Sequence, residues 1–104
     1  MQFNESANNR VVRLKMDDAF DIVLPETRTA GYRWILKDRH EPVCTLLEES
    51  ARPNPAGAGG TGIHSWRFRA ASPGMCEIEL HYIRPWESSS EPAKTFRLKV
   101  QVRS

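Results

Sequence analysis

The feature that most narrows the fold of this chain is a strict two-residue period near its C-terminal end. Phe96, Leu98, Val100 and Val102 alternate with Arg97, Lys99, Gln101 and Arg103. In an extended strand successive side chains point to opposite faces, so this spacing gives one apolar face and one polar face. A helix would scatter the same residues around its axis. A segment of this kind has to lay its apolar face on a core, and the rest of the chain must supply that core.

The remaining sequence repeats the pattern. Val12, Leu14 and Met16 form one alternating set, Phe20, Ile22 and Leu24 a second, and Tyr32, Trp34 and Leu36 a third. A less regular fourth strand is expected around residues 43–48, followed by Trp66, Phe68 and Ala70, then Cys76, Ile78, Leu80 and Tyr82. Turn chemistry separates these sets: Asp17-Asp18, residues 25–31, residues 38–42, and Ser72-Pro73-Gly74. No segment of about ten residues keeps a helical period. Seven short strands with a Trp in the third predict an all-β chain, an immunoglobulin-like β-sandwich of about seven antiparallel strands. The Ig disulfide pattern is missing, because neither cysteine lies in the second strand.

With 104 residues, the chain has the length of one domain, and residues 1–104 are read as a single unit. Its 39% hydrophobic residues suffice for one core, and no apolar run is long enough for a membrane helix. The first twenty residues carry three basic and three acidic groups and no continuous apolar stretch. A cytoplasmic product is therefore the expectation, or a periplasmic or secreted one if a leader has been removed. Fifteen Lys and Arg interspersed with thirteen Asp and Glu give a net charge of +2, which does not call for a nucleic-acid partner. Cys44 and Cys76 can form one disulfide or stay as two buried thiols; two free thiols are the favoured expectation.

Two connecting segments stand out. Residues 51–62, ARPNPAGAGGTG, hold two prolines and four glycines, and residues 84–92, RPWESSSEP, set Trp86 between Pro85 and Glu87. A phosphate cradle at the glycines fails for want of a GK[ST] ending and a following helix. What remains is a flexible connector, or a bare backbone that another backbone can approach. Trp86 is either folded back on the sandwich or an exposed aromatic anchor, the residue type that often dominates an interface. Enzyme chemistry finds no support. His40, His64 and His81 sit singly, without metal-ligand spacing, and are read as surface or strand-face imidazoles. Cys76 shares an apolar face with Ile78 and Leu80, which suppresses a thiolate nucleophile. No metal or cofactor is expected.

Taken together, TRTAGYRW at residues 27–34, GAGG at residues 57–60 and RPW at residues 84–86 resemble the chagasin family of cysteine-peptidase inhibitors, whose patterns N-P-T-T-G-[YF]-x-W, G-x-G-G and R-P-[WF] occur in that order. Leu24-Pro25 and Tyr82 also match. The resemblance implies an Ig-type sandwich with three inhibitory loops at one end, and a monomer that binds a papain-like cysteine peptidase. It makes Thr27, Arg28, Thr29, Ala30 and Gly31 the segment at the catalytic pair, with Thr29 closest to it. Gly57, Ala58, Gly59 and Gly60 become a strand-like edge beside the substrate cleft, and Arg84, Pro85 and Trp86 a cover for its primed side. Tyr32 and Trp34 anchor the first loop from behind. Thr27-Arg28 replaces the family's Asn-Pro and Ala30 its second threonine, so the fixed φ of a proline is absent from the first loop. The alternative is an Ig-like interaction module with a non-peptidase partner.

Overall fold

The computed structural model describes residues 1–27, 31–38, 43–53, 61–87 and 91–104. Eight strands run in chain order: β1 (Gln2–Phe3), β2 (Arg10–Lys15), β3 (Ala19–Thr27), β4 (Arg33–Asp38), β5 (Cys44–Pro53), β6 (Thr61–Ala70), β7 (Gly74–Ile83) and β8 (Lys94–Arg103). They form two four-stranded sheets, ordered β1-β3-β6-β5 and β2-β8-β7-β4. The alternating sets meet between the sheets. Phe20, Ile22, Leu24, Trp66, Phe68 and Ala70 from one sheet face Trp34, Ile78, Leu80, Phe96, Leu98 and Val100 from the other, all buried.

The expected sandwich is present, with four differences of detail. The strands are not antiparallel throughout: β2 runs parallel to β8, and the short β1 parallel to β3, so both sheets are mixed. Met16 does not join the core face, since β2 ends at Lys15 and Met16 lies exposed in the following turn. There Asp17 takes a positive φ of 77°, which a short polar side chain tolerates. β3 continues through Pro25 to Thr27, where a loop was expected. It can do so because β1 leaves β3 after Ile22, and from there Pro25 needs no amide on that side.

The fourth difference is that β5 runs on to Pro53, well past residue 48. Between Leu46 and Glu48 the β5–β6 register slips by one residue. A bulge exchanges the two faces of a strand. Leu46, opposite Phe68, lies against the core; beyond the bulge Glu49 and Ala51 come opposite Trp66 and His64, on the same side of the sheet, yet both remain exposed on this edge strand. The slip hides the second half of β5 from any test of alternation.

The ladders place three connections at one end. Thr27 pairs with Thr61 and Pro53 with Gly62, so β3, β5 and β6 share that rim in the first sheet. Arg33 pairs with Ile83 and Tyr82 with Lys94, so β4, β7 and β8 share it in the second. Cys44 of β5 and Cys76 of β7 meet across the sandwich as buried free thiols, sulfur to sulfur 2.8 Å.

Candidate functional site

The first connection leaves β3 at Thr27 and enters β4 at Arg33, crossing from one sheet to the other. Its two stems are bonded to each other and to the core. The Thr27 amide donates to Tyr82 Oη at 2.7 Å, the Trp34 amide to Glu26 Oε2 at 2.8 Å, and Trp34 Nε1 to the Pro25 carbonyl at 2.9 Å. Tyr82 is the hub. Its ring stacks on Tyr32 with centroids 5.0 Å apart and lies tilted against Trp34 at 4.7 Å, both within the range of favourable aromatic pairs. Tyr32 and Trp34 thus back the loop from the core side, in the anchoring position the resemblance implies.

The third connection begins at Arg84. The Glu87 amide donates to the Arg84 carbonyl at 3.0 Å, and Arg84 Nη1 bonds Glu87 Oε1 at 3.2 Å, closing a tight turn with Pro85 and Trp86 at its tip. Its guanidinium sits 4.5 Å from the centroid of the Tyr32 ring, a cation–π contact that ties this turn to the first loop's stem. Trp86 is 68% exposed, and its six-membered ring lies over Gly31. Gly31 holds φ at +85°, the left-handed region that glycine enters without penalty. Thr27, Gly31, Arg84, Pro85 and Trp86 therefore gather at one rim. Trp86 is thus folded back on the rim at Gly31 and, at the same time, largely exposed.

Arg28, Thr29 and Ala30, and all four residues Gly57, Ala58, Gly59 and Gly60, lie outside the described residues. The flanks of the glycine segment are described. Pro53 and Gly62 face each other across the last rung of the β5–β6 ladder, one residue from the rung that joins Thr61 to Thr27. The glycine segment thus leaves the sheet directly beside the first loop.

One group at this rim differs from its sequence reading. His64 is 5% exposed and not a surface imidazole. Its Nδ1 lies 2.7 Å from Glu26 Oε2 and its Nε2 2.7 Å from Glu49 Oε2, with the ring stacked on Trp66 at 4.0 Å. Glu26 itself is 1% exposed. The one available hint was that Glu26 falls two residues after Leu24, on the face of the strand that Phe20, Ile22 and Leu24 bury. His81 is half-buried against Glu79 on the strand face, as expected. The thiols are not poised for chemistry. Cys44 is pushed up by its hydrogen bond with Cys76 and by burial, and with both side chains buried neither sulfur is an exposed nucleophile.

Comparison with known proteins agrees with this geometry. Residues 13–100 match the family described as Chagasin family peptidase inhibitor I42. Amoebiasin-1 of Entamoeba histolytica is 29% identical over 103 residues, covering 98% of this chain and 99% of the relative. The crystal structure of the cysteine protease inhibitor EhICP2 from Entamoeba histolytica superposes with a TM-score of 0.86 at 24% identity, over 98% of this chain and 94% of that one. PbICP-C, solved in complex with falcipain-2, superposes with a TM-score of 0.65 at 21% identity, over 99% of this chain and 90% of that one. At these identities the two structures bear on the fold.

Proposed function

The chain belongs to the chagasin family of peptidase inhibitors, and from that membership we propose that it inhibits papain-like cysteine peptidases by reversibly filling their active-site cleft with three loops. The observation that carries the proposal is the convergence of Thr27, Gly31, Arg84 and exposed Trp86 on the rim from which the glycine segment also departs.

Such an inhibitor needs no reactive group of its own. Inhibition requires a rigid wedge that occupies the cleft without offering a peptide bond in the geometry of attack. The first loop, with Thr29 foremost, faces the catalytic cysteine and histidine. The glycine segment, residues 57–60, lies along the substrate-binding backbone, where the missing side chains allow main-chain pairing. Arg84, Pro85 and Trp86 cover the primed side, with the indole stacked on an enzyme aromatic. A contact of this kind buries about 800 Å² on each partner, the usual size for peptidase–inhibitor pairs. Stems bonded through Tyr82, Glu26 and Trp34 hold the loops in place beforehand, which lowers the entropy lost on association.

The test is a titration of papain activity with the purified protein. A tight-binding curve that reaches full inhibition at one inhibitor per enzyme supports the proposal. Undiminished activity at large molar excess overturns it.

A further inference from the structure

The turn that carries Trp86 rests on the first loop's stem at two points, and the two points are consecutive residues. Arg84 sets its guanidinium 4.5 Å from the centroid of Tyr32, and Trp86 lays its six-membered ring on Gly31. Within the turn the Glu87 amide donates to the Arg84 carbonyl at 3.0 Å. Pro85 stands second of the four residues, where its fixed φ suits a turn. That backbone bond shapes the turn but leaves open how the turn leans on its neighbours. Side chains decide the lean. Arg84 Nη1 donates to Glu87 Oε1 at 3.2 Å, so one guanidinium touches both the far end of its own turn and the ring of Tyr32.

Tyr32 is a firm seat for that cation. Its ring stacks on Tyr82 at 5.0 Å and 19°, and Tyr82 is buried, tilted against Trp34 and bonded through Oη to the Thr27 amide. A planar guanidinium stacks on an aromatic face and keeps edge N–H groups for a carboxylate, a combination that an ammonium matches less well. An exposed ion pair such as Arg84–Glu87 contributes little by itself. Here its use is geometric: Glu87 orients the guanidinium, and Tyr32 fixes where the guanidinium sits. Trp86 lies in the chain between the two clasped residues, largely exposed, so the direction of its ring depends on the turn around it.

We propose that Arg84 is a positioning residue of the third inhibitory loop: clasped by Glu87 and stacked on Tyr32, it holds Trp86 on Gly31 in the orientation that meets the peptidase, and it acts through Trp86. The proposal rests on the peptidase-inhibitor reading above. The competing account has the Arg84 guanidinium, whose side chain is 38% exposed, reach a carboxylate of the enzyme directly. The two accounts differ in what Arg84 is worth once the indole is gone. A residue that sets the seated population of Trp86 changes affinity by that population, and changes nothing when there is no indole to seat. A direct contact keeps its value in either background.

Inhibition constants against papain for the wild type, Arg84→Gln, Trp86→Ala and the double variant form the cycle that decides. Arg84→Gln is expected to weaken inhibition about fivefold, the worth of one half-exposed cation–π contact, and less than about twofold in the Trp86→Ala background. Equal factors in the two backgrounds overturn the proposal, and so does an Arg84→Gln constant equal to the wild type's. Glu87→Ala leaves the guanidinium in place but frees it, so positioning predicts weaker inhibition while a direct contact predicts none; an unchanged or tightened constant overturns the proposal. The free protein gives a readout independent of any peptidase. The Gly31 α-proton that stands where a side chain would begin points at the indole, whose ring current displaces its resonance. Arg84→Gln is expected to move that resonance part of the way to its position in Trp86→Ala; a resonance unmoved from the wild type's overturns the positioning role. Should Arg84→Gln not fold, the inhibition constant and the Gly31 resonance of Glu87→Ala still decide. A wild type that fails to inhibit papain sinks the functional reading instead, and the Gly31 resonance then tests the seat alone.

Discussion

The Trp86 indole occupies the space in which a β-carbon of residue 31 would stand: Cη2 is 1.9 Å from that position, Cζ2 2.8 Å and Cζ3 2.9 Å. Gly31 is thus fixed twice, by a φ of +85° and by the ring resting on it. Gly31→Ala is expected to cost about 1–2 kcal/mol of stability from the left-handed backbone alone, and to push the indole off its seat. Thermal unfolding measures the first effect. Inhibition of papain, weakened further than Trp86→Phe weakens it, measures the second.

Trp86 touches the rim with one edge and leaves most of its surface to solvent. Trp86→Ala should leave the melting temperature nearly unchanged and raise the inhibition constant by at least about tenfold, as for an aromatic anchor at an interface. Equal inhibition by wild type and variant would exclude the wedge arrangement.

Tyr82 Oη is the acceptor for the Thr27 amide at 2.7 Å, while its ring packs between Tyr32 and Trp34. Tyr82→Phe keeps the packing and removes the acceptor. A loss of about 1 kcal/mol is expected, seen as faster exchange of the Thr27 amide and severalfold weaker inhibition with an unaltered circular dichroism spectrum.

Two surface carboxylates should give the fold an acid-side dependence. Asp21 is held below its usual range first by its hydrogen bonds from Arg67, and Glu79 below its own first by the His81 imidazole and then by Arg97. A carboxyl lowered in the folded state contributes stability above its unfolded value, and that contribution is lost as pH falls through the folded one. Urea midpoints should therefore decline from about pH 6 to about pH 2, less steeply in Asp21→Asn combined with Glu79→Gln.

Cys44 and Cys76 are both buried, and Cys44 is raised by its partner thiol and by burial. Alkylating reagents should modify neither in the native protein at neutral pH and both in denaturant, with no change in inhibition when each is replaced by Ala or Val of suitable size. Mass spectrometry of intact protein before and after denaturation checks this.

Most of the fold was legible because it rests on alternation. Phe20, Ile22 and Leu24, or Phe96 to Val102, can bury one face only as strands, and they do. The parts that were not legible depend on register. The β5 bulge exchanges the two faces of the strand midway, so a regular count sets Glu49 on the opposite side of the sheet from His64. Glu26 and His64 are 38 residues apart, and nothing local in either says that the other will lie beside it. At the site, Trp86 and Gly31 were readable one by one, as an aromatic among polar residues and as a turn glycine. Their mutual contact was not, since it joins two connections from different parts of the chain.

The parallel pairing of β2 with β8 has a kinetic consequence. Arg10 lies beside Leu98 and Lys15 beside Arg103, so the ladder closes a loop spanning most of the sequence. Closing such a loop carries a large entropic penalty before any native contact rewards it, and pairings of this kind slow folding. Until residues 94–103 have inserted between β2 and β7, both of those strands present open edges to other chains. This inhibitor is therefore most prone to self-association during folding, and strand-blocking charges such as Lys15, Lys99 and Arg103 at that junction protect it at the step where exposure lasts longest.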